Sequence, residues 1–296
     1  MGGASDQWTI GRLLDWTRQH LAEKDVDQPR LCAELLLAHA LGCKKIDLYT
    51  RFEHVPDEQQ RAALRDLVRQ AAKRVPIAYL TGKKEFFSLD FEVTPAVLIP
   101  RPETELLVEE VISYCRPGNR QSWNILELGT GSGCIAVAAA RYVTNARLVA
   151  SDISAEALAV AGRNVERHGV ADRVKLIEAD GLQLPVEVIP DGGFDMIVSN
   201  PPYVSTEQVE LLEPEVARYE PRVALVAGAE GLVFYRLLAG GGAKLLWPGG
   251  AVFVEVGCGQ HEQVARIFAE SDRFELVKVS TDLAGIERLM HFRLTR

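Results

Sequence analysis

The chain has 296 residues, 47% hydrophobic and 25% charged, which suits one large globular domain plus a small one. No apolar run approaches the roughly 18 residues of a membrane span, and Met1-Gly2-Gly3-Ala4-Ser5-Asp6 has neither the basic start nor the apolar stretch of a signal peptide, so a cytoplasmic protein without membrane attachment is expected. The formal net charge is −8, with 12 Lys/Arg against 11 Asp/Glu in residues 1–80 and 21 against 30 in the remainder; an acidic second part weighs against holding nucleic acid by its phosphates.

Residues 8–75 read as short helices. Ile10, Leu13, Leu14 and Leu21 share one face at helical spacing. Asp27 is placed to cap a helix with Pro29 in its first turn and Gly42 past its end, turning Leu31, Leu35, Ala38 and Leu41 inward. Asp57 with Gln60 forms a capping-box pattern ahead of a helix to about Arg74, which Pro76 ends. Such helices pack as a small bundle over 1–83, suited to docking a partner or to capping the larger domain. Phe87, Leu89, Phe91 and Val93 then alternate with Ser88, Asp90, Glu92 and Thr94, a strand or hairpin signal that makes 84–100 a linker. Pro100 and Pro102 force an extended loop, read as lying over a pocket, and Thr104 is placed to cap the helix through Leu106, Leu107 and Val111.

From Asn124 onward strands and helices alternate. Strands are predicted at 124–128, 147–151, 174–179, 194–199 and 251–256, with a late pair at 274–280 and 289–294. The helices between them fall at 134–141, 154–168, 232–238 and 260–270. That order defines a doubly wound, mostly parallel α/β sheet over 101–296. The five cysteines (Cys32, Cys43, Cys115, Cys134, Cys258) are scattered without a CxxC, and the six histidines form no HExxH, so reduced thiols and no metal site are expected.

Ligands bind such sheets beyond the C-terminal ends of the strands, and four strand ends carry candidates. Gly129, Thr130, Gly131, Ser132 and Gly133 follow the first strand; the glycines let backbone approach a ligand, and the next helix aims free N–H groups at it. Asp152 ends the second strand, where a carboxylate can accept from two ribose hydroxyls. Asp180, with Gly181 after it, ends the third and can accept from an adenine amino group. These three describe an adenosyl pocket without deciding between NAD and S-adenosylmethionine. Asn200-Pro201-Pro202-Tyr203 ends the fourth. The Asn200 side-chain oxygen and the Pro201 carbonyl can accept both hydrogens of a planar –NH2, and Tyr203 can pack on its plane. Hydride transfer has no use for that clamp, whereas methyl transfer to nitrogen does. A class I S-adenosylmethionine-dependent methyltransferase fold follows.

Glu127–Gly133, Asp152-Ile153-Ser154, Ile197–Tyr203 and Val97–Glu105 together resemble the release-factor glutamine methyltransferases (the HemK/PrmC family). Tyr79–Gly82, Glu85-Phe86, Val93–Pro95 and Asp282–Gly285 fit as well. The resemblance covers nearly all of the chain after about residue 70 and implies a seven-stranded, Rossmann-like sheet. It also implies methyl transfer from S-adenosylmethionine, leaving S-adenosylhomocysteine, to the side-chain N5 of the glutamine in the Gly-Gly-Gln motif of class I peptide chain release factors. Carried over by position, Gly129–Gly133, Asp152, Asp180, Gly181 and Asn200 border the cofactor. Asn200, Pro201, Pro202 and Tyr203 hold the glutamine, with Asn200, Pro201 and Tyr203 as the catalytic set. The bundle would dock the release factor, and a monomer is expected. At Gly181 some members place an aromatic against adenine, and Ala227–Gly231 matches the family only in part. An adenine-N6 nucleic-acid methyltransferase offers the same clamp to a base but calls for a basic groove. A non-catalytic module that binds S-adenosylmethionine is the further alternative.

Overall fold

The computed structural model describes residues 7–116 and 120–295; the segment 1–6, read above for a signal peptide, lies outside them. The chain forms two compact units: one runs to Lys83 and takes in Glu213–Tyr219, and the other comprises Lys84–Leu212 and the chain from Glu220.

The first unit holds α1 (Ile10–Ala22), α2 (Pro29–Leu41), α3 (Lys45–Thr50), α4 (Glu58–Ala71) and α5 (Ile77–Thr81). Thr9 caps α1 by accepting from the Arg12 amide at 3.3 Å. Asp57 and Gln60 close their capping box at 2.8 and 3.1 Å. Asp27 does not cap α2. Gln28 takes the N-cap position in a left-handed conformation, which turns Asp27 off the helix axis, so its carboxylate accepts from the Gln28 side chain instead. The inward stripe of α2 also differs from the reading. Ala38 is buried as read, but Leu31 is exposed, and Cys32, Ala33, Leu36 and Leu37 complete the buried face, around which α1, α3, α4 and α5 pack. α4 stops at Ala71 rather than near Arg74, which is left-handed. The Arg74 guanidinium donates to the Asp25 carbonyl at 2.6 Å and pairs with Glu215, and the Tyr219 hydroxyl donates to the Lys73 carbonyl at 3.0 Å.

The hairpin strands are β1 (Lys83–Phe86) and β2 (Leu89–Glu92). Phe87 and Ser88 between them both have positive φ, 52° and 58°, as in a tight two-residue turn whose favoured occupants are Asn and Gly. The alternation read over 87–94 holds through the turn, with Phe87, Leu89, Phe91 and Val93 each more buried than the residue that follows. Phe86 and Phe91 are buried in the second unit's core, and Phe87 swings onto Tyr142 with ring centroids 5.0 Å apart.

In chain order there follow α6 (Glu105–Cys115), β3 (Trp123–Leu128), α7 (Cys134–Tyr142), β4 (Ala146–Asp152), α8 (Ala155–Arg167), β5 (Val174–Glu178), β6 (Phe194–Ser199), α9 (Pro214–Tyr219, part of the first unit), α10 (Val233–Gly241), β7 (Leu246–Glu255), α11 (His261–Glu270), β8 (Phe274–Thr281) and β9 (Glu287–Leu294). The seven strands from β3 onward form one sheet in the order β5-β4-β3-β6-β7-β9-β8, parallel except for β9. Ile125, Met196, Val198 and Phe253 face α6 and α7, while Leu126, Ile197, Val252 and Val254 face α10 and α11. Alternate residues of each strand therefore enter opposite cores, and both faces are buried, as a parallel sheet requires.

A left-handed conformation costs an ordinary L-residue about 1–2 kcal/mol, against the extra chain entropy of glycine. Exposed Ser88 is therefore a site where Ser88→Gly should stabilise the protein by about 0.5 kcal/mol. Urea unfolding should show a higher midpoint at unchanged slope, and Ser88→Val should move the midpoint the other way.

Candidate active site

Register places the site. Leu128 of β3 lies opposite Ser151 of β4 on one side and Ser199 of β6 on the other. Gly129, Asp152 and Asn200 are consequently the next residues of three adjacent strands, at one level. β4 and β5 are paired through Asp152 and Glu178, which brings Asp180 to the same edge. The strand order reverses between β3 and β6, the crevice where open α/β sheets bind ligands.

A cavity of about 470 Å³ opens there, lined by Gly129, Gly131, Asp152, Asp180, Gly181, Asn200 and Pro202 of the predicted set. Thr130, Ser132, Gly133, Pro201 and Tyr203 do not line it. The amides of Gly129 and Thr130 both donate to the Ser151 carbonyl at 2.9 Å, binding the glycine loop to β4. Gly131, at φ 54°, has open space where a side chain would begin, so its backbone faces the cavity. Gly133 is needed for space as well as for its φ of 79°: a Cβ there would meet Ala161 of α8 at 3.2 Å. Asp152 accepts from the Gly131 amide at 2.8 Å through one oxygen and from the Ser154 amide at 3.0 Å through the other. Ser154 caps α8, accepting from Ala157 at 3.1 Å. Asp180 is exposed and, among the described residues, its carboxylate has no hydrogen-bond partner. Val97, Leu98, Ile153, Val233 and Phe234 add apolar wall.

The loop before α6 is anchored on buried Glu220, which accepts from the Ile99 amide at 3.2 Å and from Arg101 at 2.5 Å. Thr104 does not cap α6. It is already helical in φ and ψ, and its buried hydroxyl donates to Glu255 at 2.7 Å and accepts from the Asn200 amide group at 2.9 Å. Tyr203 packs on the core beside α10 and α11, its carbonyl accepting from Gln260 at 3.0 Å. Burial, reinforced by Glu255, pushes its hydroxyl up to about 12, so it is neutral. Sequence reasoning missed Asn164 of α8. It accepts from the Glu92 amide at 2.8 Å and donates to the carbonyls of Glu92 at 2.9 Å and Ser132 at 2.8 Å. One buried carboxamide thus joins the hairpin to the glycine loop. Its only sequence signal was an Asn on the apolar face of an amphipathic helix, between Ala161 and Val165. Among the described residues no group of three His, Cys, Asp or Glu is placed to hold a metal ion, and no helix is long and apolar enough to cross a membrane.

The fold is that of a class I methyltransferase: a methyltransferase from Pyrococcus furiosus superposes with a TM-score of 0.51 at 21% identity, covering 72% of this chain and 92% of that one. Residues 12–82 match the PrmC N-terminal domain and residues 102–216 the methyltransferase small domain. The chain is 44% identical over 287 residues to the release factor glutamine methyltransferase of Geobacter sulfurreducens, covering 97% of each. It is 42% identical over 289 residues to that of Rhodopirellula baltica, covering 96% of this chain and 95% of the relative. The chain belongs to the release factor glutamine methyltransferase family.

Two buried acids stand near the strand ends. Burial raises Glu127 to about 8, opposed by the Thr130 hydroxyl and the Ala136 amide, and raises Glu255 to about 7, opposed by Thr104 and Arg288. Between the ordinary 4.5 and about 8 the native state holds the Glu127 proton more tightly than the unfolded chain does. Its contribution to stability is complete below the unfolded value and is lost as pH rises through the folded one. Glu127→Gln removes that loss, so the melting temperature of the variant should gain on wild type steadily from pH 5 to pH 8. A gap independent of pH would contradict the burial effect.

Proposed function

We propose that this protein transfers a methyl group from S-adenosylmethionine to the side-chain N5 of the Gly-Gly-Gln glutamine in class I peptide chain release factors, in the cytoplasm. The observation that carries the proposal is the shared edge of Gly129, Gly131, Asp152, Asp180 and Asn200 around one cavity. The donor set suits S-adenosylmethionine. The cavity volume is within the usual range for small-molecule sites, about 300–1,000 Å³. Each Asp152 oxygen accepts one backbone N–H, which leaves both able to take a ribose hydroxyl. Asp180 is free to accept from the adenine amino group. With Gly181 offering no side chain, Ile153, Val233 and Phe234 are the apolar surface available to a purine.

S-adenosylmethionine, when bound, supplies an electrophilic methyl on a sulfonium. The residues of this chain hold and orient the nucleophile. An amide nitrogen is a weak nucleophile because its lone pair is shared with the carbonyl. Asn200, through its side-chain oxygen, and Pro201, through its carbonyl, accept the two N–H groups, which fixes the nitrogen and favours charge building on it. Gly129, Gly131 and Asp152 would hold S-adenosylmethionine at this edge, and it would supply the methyl to that nitrogen, the S–C bond giving way as the N–C bond forms and leaving its electron pair on sulfur. The nitrogen then releases one proton to solvent, so no side-chain base is required before attack. The first unit, matching the PrmC N-terminal domain, is proposed to dock the release factor.

Incubation with methyl-labelled S-adenosylmethionine and a class I release factor should label the factor, and replacing the glutamine of its Gly-Gly-Gln motif should abolish the label. Label on DNA alone would refute the assignment. Asn200→Ala should lower kcat by about 10²–10³ while the Kd for S-adenosylmethionine, read by calorimetry, changes only a few-fold; loss of cofactor binding would mean that its role is different.

A further inference from the structure

A carboxamide has a donor end and an acceptor end, and a clamp for an –NH2 group needs the acceptor end outward. The surroundings of Asn200 decide which end that is. Its amide nitrogen lies 2.9 Å from Thr104 Oγ1, and Thr104 Oγ1 lies 2.7 Å from Glu255 Oε2. A threonine hydroxyl has one hydrogen, and an ionised carboxylate only accepts. Thr104 must therefore give its hydrogen to Glu255 and can only accept from Asn200. That holds the Nδ2 end against Thr104 and leaves Oδ1, which has no other partner among the described residues, for a donor in the cavity that Asn200 lines. Thr104 and Glu255 are both buried, so water does not compete for these bonds.

We infer that Thr104 and Glu255 are positioning residues of this site, setting the rotation of the Asn200 carboxamide so that its oxygen meets the substrate nitrogen. The inference rests on the reading of Asn200 given under Proposed function. Neither residue touches substrate in this scheme; both act through Asn200.

The arrangement has a polarity that depends on the charge of Glu255. Several groups face that carboxylate. Arg288 of β9 is held by Asp282 at 3.0 Å, and Arg101 and Glu103 come from the loop before α6. Tyr203 follows β6, Cys134 opens α7, and Tyr235 of α10 donates to the Glu255 carbonyl at 3.0 Å. Burial pushes the Cys134 thiol up to about 12 and raises the Tyr235 hydroxyl, so both are neutral, and Arg288 and Arg101 favour the charged form of Glu255. When Glu255 takes a proton it becomes a donor to Thr104. The threonine hydrogen is then free to point at Asn200, whose oxygen rotates to meet it. The –NH2 end now faces the cavity, donor against donor, and the clamp is lost. Activity should rise with pH as Glu255 ionises.

The test uses the full chain, a release factor and S-adenosylmethionine. Thr104→Val should lower kcat about tenfold or more with the Kd for S-adenosylmethionine changed less than about threefold, and Thr104→Ser should restore most of kcat. A Thr104→Val enzyme within twofold of wild type, or a Thr104→Ser enzyme as slow as Thr104→Val, overturns the inference. The kcat–pH profile of wild type should show a limb near the folded value of about 7 for Glu255 that Glu255→Gln removes. A second measurement needs no substrate. The side-chain 15N–H2 signals of Asn200, assigned by their loss in Asn200→Asp, should titrate with Glu255 in wild type and stay fixed in Glu255→Gln. Signals indifferent to pH in wild type overturn the inference whatever the substrate is. Coupled signals without methyl transfer to any release factor uphold it and count against the functional reading alone.

Discussion

Strand β3 is paired on both sides over Ile125–Leu128, and the site depends on that double pairing. Leu128 is level with Ser151 and with Ser199, so the residues that follow these three, Gly129, Asp152 and Asn200, fall on one line. A slip of one residue in either pairing would turn every side chain of the slipped strand to the other face. Here both faces are buried, so the slip would exchange two packed cores at once. Two buried hydroxyls add to the lock: Ser151 donates to the Glu127 carbonyl at 3.2 Å and Ser199 to the Leu128 carbonyl at 2.8 Å. The placing of Asp152 and Asn200 is in this sense a consequence of core packing, decided before any ligand is considered.

Around that edge the structure leaves hydrogen-bonding capacity unused in a few places only. Asp180 and the Asn200 oxygen have no partner among the described residues, and each Asp152 oxygen has one; Glu127 Oε1 and Ser132 Oγ are also unpaired, but they are buried and do not line the cavity. Most neighbouring polar groups are committed. Asn164 uses both ends of its amide, Glu220 both oxygens, and Thr104 its hydrogen and a lone pair. A buried polar group that is fully paired narrows the arrangements its neighbours can adopt, because every alternative strands a donor or an acceptor. The committed groups therefore hold the loops in one arrangement, and the uncommitted ones that line the cavity are available to a ligand.

Much of this was legible in the sequence, and the exceptions share one cause. Apolar runs in 124–128 and 194–199 mark buried strands, and the residues directly after them supply cavity lining, because both are local consequences of chain direction. The Asp57–Gln60 box and the Ser154 cap were readable for the same reason: their partners are three residues away. Thr104 looked like a cap by the same local rule, yet its partners lie 96 and 151 residues off. Asn164 bonds Glu92 and Ser132, 72 and 32 residues away, and Glu220 reaches back 121 residues to Ile99. Within the first unit Glu215 bonds Arg74 and Tyr219 bonds Lys73, 141 and 146 residues earlier. Periodicity and capping patterns carry no information about such partners, since a polar residue on an apolar face reads alike whether its partner is water or a distant backbone group.

Buried Glu255 shows how far a distant partner reaches into the chemistry. Taking a carboxylate out of water is costly unless its oxygens are satisfied, and at this depth the charged form is held by one threonine hydroxyl and by Arg288 and Arg101 nearby. Replacing such an acid by an apolar residue of similar size would relieve the desolvation, so stability alone does not account for a carboxylate there. What an apolar residue cannot do is fix the direction of a hydroxyl. The direction of the Thr104 hydrogen sets the rotation of the Asn200 amide, and that rotation sets whether an incoming –NH2 meets an oxygen or another –NH2. The desolvation cost at the end of β7 is thus coupled, through two hydrogen bonds, to the one atom beyond β6 on which the clamp depends.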